Sequence, residues 1–170
     1  MTTIKFDPAQ FDRIIEELEM SPRKMERATK AAIKETVNWV KGQSVRELSK
    51  ETGLQQKFIR KRVYARAFGS SRGRISFYVK PFNLIVLNAR QTKHGVTSKR
   101  MSVKSAFITH HTGKPLVFKR SGISRLPIEP VKYEINKETS DTVRKFEGGL
   151  VSGEFFRRLG QKVRWMKELK

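Results

Sequence analysis

The chain has 170 residues and no Cys, and it carries a formal net charge of +21. The absence of Cys excludes disulfides, thiolate metal sites and a thiol nucleophile, while 37% apolar residues suffice for a modest core. The first residues show no apolar signal-peptide region, and no apolar run reaches membrane-spanning length. We therefore expect a protein that is made in a cytoplasm and has no membrane partner.

Residues 1–68 are predicted to be mainly helical. The segment 7–18 starts with a capping Asp, a helix-compatible Pro and a capping-box Gln, followed by an apolar face. A second Ser-Pro start precedes a long helix at 21–48, with an interruption at Gly42. The basic stretch 54–68 predicts a further helix.

Residues 69–136 are predicted to form a basic, sheet-rich part. Ile75, Phe77 and Val79 alternate with polar residues and predict the clearest strand, at 74–80. Short apolar runs between clusters of turn residues predict further antiparallel strands at 84–87, 106–109, 115–120 and 131–135.

Residues 137–170 return to helix. A helical stretch at 142–146 is followed by a break at Gly148 and Gly149, and then by a last amphipathic helix. Helices, then strands, then helices predict a single domain, 1–170, of the α+β class.

Residues 52–128 contain no Asp or Glu but 17 Lys and Arg. Such a positive region attracts phosphate backbones, although ribosomal, chromatin, phage-assembly and anionic-membrane proteins share this composition. The distribution favours a nucleic-acid partner. The candidate contact residues are Lys57, Arg60, Lys61, Arg62, Arg66, Arg90, Lys93, Lys99 and Arg100.

A sequence-specific DNA-binding regulator is one alternative, because residues 44–63 have the spacing of a helix-turn-helix unit. Gly53 would occupy the turn, and Leu54 and Ile59 would hold the second helix. The preceding helix is far longer than the first helix of such a unit, which disfavours this alternative.

An RNA-binding or ribosome-associated module is a second alternative, in which strand aromatics would stack on bases. The candidates for stacking are Phe77, Tyr78, Phe82 and Phe107. Phe77 shares the inward parity of its strand, which leaves Tyr78 facing outward, and one exposed aromatic is too few for such a platform.

Catalysis finds little support in the sequence. His110 and His111 adjoin and would face opposite sides of a strand, and no carboxylate lies within 17 residues of either. His94 stands alone in a loop, and no Gly-rich phosphate loop is present. We predict no enzyme activity, no metal and no cofactor.

Several blocks resemble the minor tail protein Z, or tail completion, family of lambda-type tailed phages and prophages. They are QSVRELSKETGLQQKFIRKRV, FNLIVLNARQT, KSAFI and VFKRSGISRLPIEPVKYEI, in the same order and at similar spacing. The resemblance implies a virion protein without enzyme activity, which joins the head-proximal end of the tail, helps head–tail joining and places the genome end. Its implied partners are other tail and neck proteins, DNA without sequence specificity, and copies of itself in the tail.

The resemblance also implies that LNARQT and FKRSGISRLPI serve the fold or an interface rather than chemistry. The corresponding candidates are Gln91, Thr92, Lys119, Arg120, Arg125, Leu126, Pro127 and Ile128. We expect two apolar residues of these blocks, Phe118 and Leu126, to be buried.

Overall fold

The computed structural model describes residues 2–5, 21–111, 113–147 and 149–168, and it confirms the predicted α+β class. The helices are α1 (Pro22–Thr52), α2 (Gln56–Arg60), α3 (Asn136–Glu147) and α4 (Leu150–Glu168), with a 3-10 helix at Leu84–Leu87. The strands are β1 (Thr2–Lys5), β2 (Val63–Phe68), β3 (Arg72–Phe77), β4 (Phe82–Asn83), β5 (Arg90–Thr92), β6 (Gly95–Thr97), β7 (Ser102–Lys104), β8 (Ala106–His111), β9 (Lys114–Arg120), β10 (Ile128–Pro130) and β11 (Lys132–Tyr133).

The chain divides into two compact units, each assembled from separate stretches. Unit 1 comprises Met1–Arg46, Val63–Phe77 and Ser140–Lys170, and unit 2 comprises Glu47–Arg62 and Tyr78–Thr139. The compact units therefore interleave along the chain, unlike the three consecutive parts that the sequence indicates. That the whole chain is one domain stays a prediction.

Helices α1 and α4 pack together in unit 1. Val37 of α1 and Phe155 of α4 are both buried, with at most 2% of their surface exposed. Glu35 of α1 accepts from Lys162 of α4 at 2.6 Å and from Arg158 of α4 at 3.4 Å. Ion pairs therefore connect α1 and α4, and each of these helices buries apolar residues.

The antiparallel sheet of unit 1, in the order β1-β3-β2, packs one face on α1. Val63 and Ile75 are buried on this face. Gly73 lies on the same face, where an added Cβ would overlap the Val37 side chain. The close approach to α1 thus requires glycine, and it fixes which side chains of the β2–β3 hairpin point away from the helix.

Helix α1 begins and ends at local sequence signals. Pro22 occupies its first position, and the carbonyl of Ser21 accepts from the Met25 amide at 3.1 Å. Gly53 has a φ of +72°, and its amide donates to the Ser49 carbonyl at 3.0 Å. This left-handed glycine ends the helix, as is common at helix C-termini.

Unit 2 contains small antiparallel sheets, in the orders β10-β9-β8, β5-β6-β7 and β11-β4. Asn83 connects its parts, because its Oδ1 accepts from the amides of Ile85 at 3.1 Å and Val117 at 2.9 Å. Its Nδ2 donates to the Val117 carbonyl at 3.0 Å. One amide side chain therefore joins the 3-10 helix to β9 over the buried Leu84 and Val117.

Three details of the predicted secondary structure are wrong. The predicted helix 54–68 stops at Arg60, and 63–68 form β2, where burial alternates with the period of a strand. Residues 84–87 form a 3-10 helix rather than a strand, because Asn83 caps its start and the next Asn, at 88, ends it in the left-handed conformation. Gly42 does not interrupt α1.

The other predicted strands are present with shifted bounds. The structure has β3 for 74–80, β8 for 106–109, β9 for 115–120 and only the two-residue β11 within 131–135. Further strands were not predicted, since each has only two to four residues and too few for a clear alternation; they are β1, β4, β5, β6, β7 and β10. The predicted helix 7–18 lies outside the described residues.

Candidate nucleic-acid interface

Helix α2 exposes three basic side chains of unit 2. It is only five residues long, and it is anchored by the buried Ile59, which is 1% exposed. Lys57, Arg60 and Lys61 remain exposed on or directly after this helix. The local sequence therefore places one apolar residue inward and three cations outward.

The β5-β6-β7 meander places the other basic candidates at its two ends. Arg90 pairs with Thr97, so it lies at the end where the β6–β7 turn carries Lys99. Lys93, in the β5–β6 turn, lies at the opposite end of the strands. Arg90, Lys93 and Lys99 are all exposed, but the fold brings together only the first and the last.

Arg100 links this end of the meander to the end of helix α1. Its Nη2 donates to the carbonyl of Lys50 at 3.3 Å. Its Nε lies 3.3 Å from the position of a Cβ on Gly53. A cation at the carbonyl end of a helix is stabilising, so Arg100 has a structural role in addition to its exposed charge. The turn with Lys99 thus lies beside the chain reversal that precedes α2.

These placements define a basic end of unit 2. We use this name for five exposed residues, Lys57, Arg60, Lys61, Arg90 and Lys99. Glu51 and Glu129 are the acids that bound the surrounding acid-free stretch of sequence.

Arg62 differs from the other candidates because its guanidinium is engaged within unit 2. The guanidinium carbon lies 3.3 Å from the centroid of the buried Phe82 ring. Its nitrogens donate to the carbonyls of Lys80 and Pro81. Burial lowers the pKa of this group. These contacts favour a structural role for Arg62 over contact with a phosphate.

Arg66 belongs to unit 1, on the β2–β3 hairpin. Its guanidinium carbon lies 5.3 Å from the centroid of the Phe68 ring. The sequence predicted a helix for this stretch, and a helix does not indicate the neighbours that Arg66 has across the hairpin. A strand predicted from the alternation of residues at 63–68 would have indicated these neighbours.

Gln91 and Thr92 of the LNARQT block make hydrogen bonds within unit 2. The Gln91 amide donates to the carbonyls of Gly95 at 3.0 Å and Ala106 at 3.3 Å, while its Oε1 accepts from the Ile108 amide at 2.9 Å. Thr92 Oγ1 also donates to the Gly95 carbonyl at 3.0 Å. Gln91 therefore ties the β5–β6 turn to β8, which favours the structural role expected for both residues.

The FKRSGISRLPI block forms a hairpin with an exposed loop. Lys119, Arg120, Arg125 and Pro127 are exposed, and Ile128 is half-buried where β10 pairs with β9. The Ser121 amide closes the loop by donating to the Pro127 carbonyl at 3.1 Å.

The expected burial of two apolar residues in this block is not met. Leu126 is 68% exposed because it sits in the loop between paired strands rather than on a strand. Phe118 is half-buried and stacks with Phe107, with 6.5 Å between ring centroids. The guanidinium of Arg120 lies 6.0 Å from the Phe107 centroid.

The geometry weakens both alternative functions. Helix α2 has five residues, too few to present a recognition helix to a major groove, and Gly53 is explained as the cap of α1. Among the aromatics named for RNA stacking, Phe82 is buried and only Tyr78 is exposed, at 52%, which is too few for a stacking platform.

The described residues contain no cluster of His, Asp or Glu arranged for a metal ion. In the same part of the chain, no helix is long and apolar enough to cross a membrane.

The chain matches a family model over most of its length. The family model described as prophage minor tail protein Z (GPZ) matches residues 10–166 of the 170. No curated protein and no solved structure matches the chain. The match covers all of unit 2 and most of unit 1. Membership implies association with other tail proteins in the virion tail. The chain therefore belongs to the prophage minor tail protein Z family and is a phage minor tail protein.

Proposed function

We propose that this minor tail protein completes the tail at its head-proximal end, where it assists head–tail joining and helps place the end of the genome. In this role it contacts DNA through phosphates and does not read base sequence. The observation that carries the DNA contact is the acid-free stretch 52–128, in which 15 of 17 Lys and Arg are exposed.

The distribution of charge supports contact without readout. Phosphate contacts position a duplex, whereas sequence is read by side chains that enter a groove. The basic end uses a five-residue helix and the turn end of a meander of three-residue strands, so it offers no long element to lie along a groove. A protein at a DNA exit has no use for one preferred sequence.

Duplex-binding measurements test the DNA contact. The variant Lys57→Gln/Arg60→Gln/Lys61→Gln removes three exposed charges and keeps the anchor Ile59. If each cation neutralises one phosphate, the slope of log K against log salt should fall in magnitude by about 2.7. Wild-type binding should be equal for duplexes of unrelated sequence.

A matched control removes the same charge from another place. Arg23→Gln/Lys24→Gln/Lys30→Gln changes three exposed residues of α1 in unit 1. The salt slope of this variant should stay near that of the wild type. Equal slopes for the two triple variants would reject the basic end as the contact surface, and a strong preference for one duplex sequence would favour a regulator instead.

Virion assembly tests the place of action. In complementation of a phage that lacks this tail gene, the basic-end variant should fold, join tails and give few infectious particles. Density for the protein should appear at the head-proximal end of the tail in assembled virions, and density elsewhere in the tail would refute the proposed location.

Self-association belongs to the assembled tail in this proposal. The charge of +21 opposes association of free copies by like-charge repulsion. The isolated protein should sediment as a monomer at low salt and associate when tail partners or a polyanion are added. A stable ring of the isolated protein at low salt would contradict this expectation.

A further inference from the structure

The outer face of the β2–β3 hairpin in unit 1 concentrates arginines and aromatic side chains. Alternate residues of a strand share a face, and directly paired residues of antiparallel strands share it too. Arg66 pairs with Arg74, and Phe68 pairs with Arg72. Tyr64 completes this face, which points away from the side that packs on α1. We call these five residues the arginine–aromatic face.

Phe68 lies at the centre of the arginines. The guanidinium carbons of Arg66 and Arg74 lie 5.3 and 5.4 Å from the centroid of its ring, which remains 38% exposed. Tyr64 is 58% exposed and stands four residues away on the same strand, roughly 13 Å along it. Rings and guanidinium planes together form a surface on which bases can stack.

This arrangement is costly without an anionic partner. Like charges placed directly opposite each other on a sheet are destabilising, as Arg66 and Arg74 are here. Arg74 Nε is buried and has no hydrogen-bond partner among the described residues. A bound anion would offset the repulsion between the two arginines.

An open cavity of about 180 Å³ lies at the turn end of the hairpin, lined by Phe68, Ser71, Arg72 and Arg74. It offers a hydroxyl and two guanidinium groups as donors beside an aromatic wall. That combination suits one nucleotide, because its phosphate meets the arginines while its base meets the ring.

We infer that the arginine–aromatic face binds single-stranded nucleic acid, with a phosphodiester in the cavity and a base stacked on Phe68 and its arginines. This inference rests on the proposed DNA contact for the polyanionic nature of the partner. It adds a second contact, which unit 1 makes with unpaired strands. The basic end of unit 2 contacts a duplex.

The exposed rings favour a single strand over the other polyanions. The bases of a duplex are stacked on each other, so Phe68 and Tyr64 would gain nothing from it, whereas unpaired bases can splay onto aromatic side chains. An acidic protein surface would satisfy the arginines but would not use the rings.

Binding of the full chain to a fluorescent single-stranded oligonucleotide, and to a duplex of equal length, tests the inference. Phe68→Leu keeps an apolar side chain and removes the ring, so single-strand affinity should fall by roughly 5- to 150-fold while duplex affinity is unchanged. The matched control is Tyr78→Leu, which removes another exposed aromatic that has a neighbouring cation, Lys80. This control should leave single-strand affinity unchanged.

The basic-end variant separates the two ideas. If it loses duplex affinity while Phe68→Leu loses single-strand affinity, both hold. If the wild type binds no duplex but its single-strand binding depends on Phe68, the proposed duplex contact fails and the present inference stands.

Three results would overturn the inference. The first is equal single-strand affinity for Phe68→Leu and the wild type. The second is an equal loss of single-strand affinity in Phe68→Leu and Tyr78→Leu. The third is competition by polyglutamate that is as strong as competition by the oligonucleotide. If Phe68→Leu does not fold, photo-crosslinking of the wild-type protein to an iodouracil-containing strand tests the assignment of the binding face instead. The crosslink should map to the peptide that holds Tyr64 and Phe68, and a crosslink confined to other peptides would refute the assignment.

Discussion

Replacing Arg62 by Ala should destabilise unit 2, although Arg62 lies in the most basic stretch of the chain. The change removes a guanidinium that covers the buried Phe82 ring at 3.3 Å and donates to the carbonyls of Lys80 and Pro81. A partly desolvated cation–π contact contributes about 1 kcal/mol, and hydrogen bonds from a half-buried cation contribute about 1 to 2 kcal/mol more. We therefore expect the free energy of unfolding to fall by about 2 to 3 kcal/mol.

Amide hydrogen exchange provides a local assay for this loss. The Tyr78 amide donates to the Arg62 carbonyl at 2.8 Å, so its protection reports on this junction, and urea unfolding followed by circular dichroism reports on the whole chain. Lys61→Ala is the control, because Lys61 is exposed and surface substitutions change stability by about 0.5 kcal/mol or less. Equal effects of the two variants on stability and on Tyr78 exchange would refute a structural role for Arg62.

The remaining predictions concern unit 1. The hydrogen bond from Arg157 holds the pKa of Glu154 at about 2, below its ordinary 4.5. The stability that Glu154 contributes is therefore present above pH 4.5 and lost as the pH falls through about 2, and Glu154→Gln should flatten urea-unfolding midpoints across that range. Gly73→Ala should lower the melting temperature, because overlap with Val37 costs about 1 to 3 kcal/mol. Gly42→Ala should raise the melting temperature, since the new methyl group meets open space and stabilises the helix by up to about 1 kcal/mol. A higher melting temperature for Gly73→Ala than for Gly42→Ala would contradict the described packing.

Local signals in the sequence predicted the start of α1 correctly, because the deciding atoms are close in the chain. Pro22 at the start of α1 and Gly53 at its end act within four residues, through the hydrogen bonds described above. The strand at β3 was predicted for the same reason, since alternation needs only the segment itself.

Predictions failed where the outcome depends on distant residues. The 84–87 stretch is apolar enough for a strand, but Asn83 binds the backbone of Val117, 34 positions away, and caps a 3-10 helix instead. The contact of Arg62 with Phe82 was not predicted either, because only the fold brings this ring, 20 positions further along the chain, against the guanidinium. The arginine–aromatic face was missed because 63–68 were assigned to a helix, which scatters alternate residues over different faces.

The interleaving of the two units has a consequence for synthesis on the ribosome. Unit 2 ends at Thr139, so its residues leave the ribosome before α4 does, and its small sheets can pair while α4 is still enclosed. Unit 1 must wait, because Phe155 and its neighbours on α4 fill the core beside the much earlier α1. A premature stop after residue 139 would thus release a chain with a complete basic end and an uncovered apolar face on α1. Such a product is prone to aggregate rather than to act as a shorter working protein.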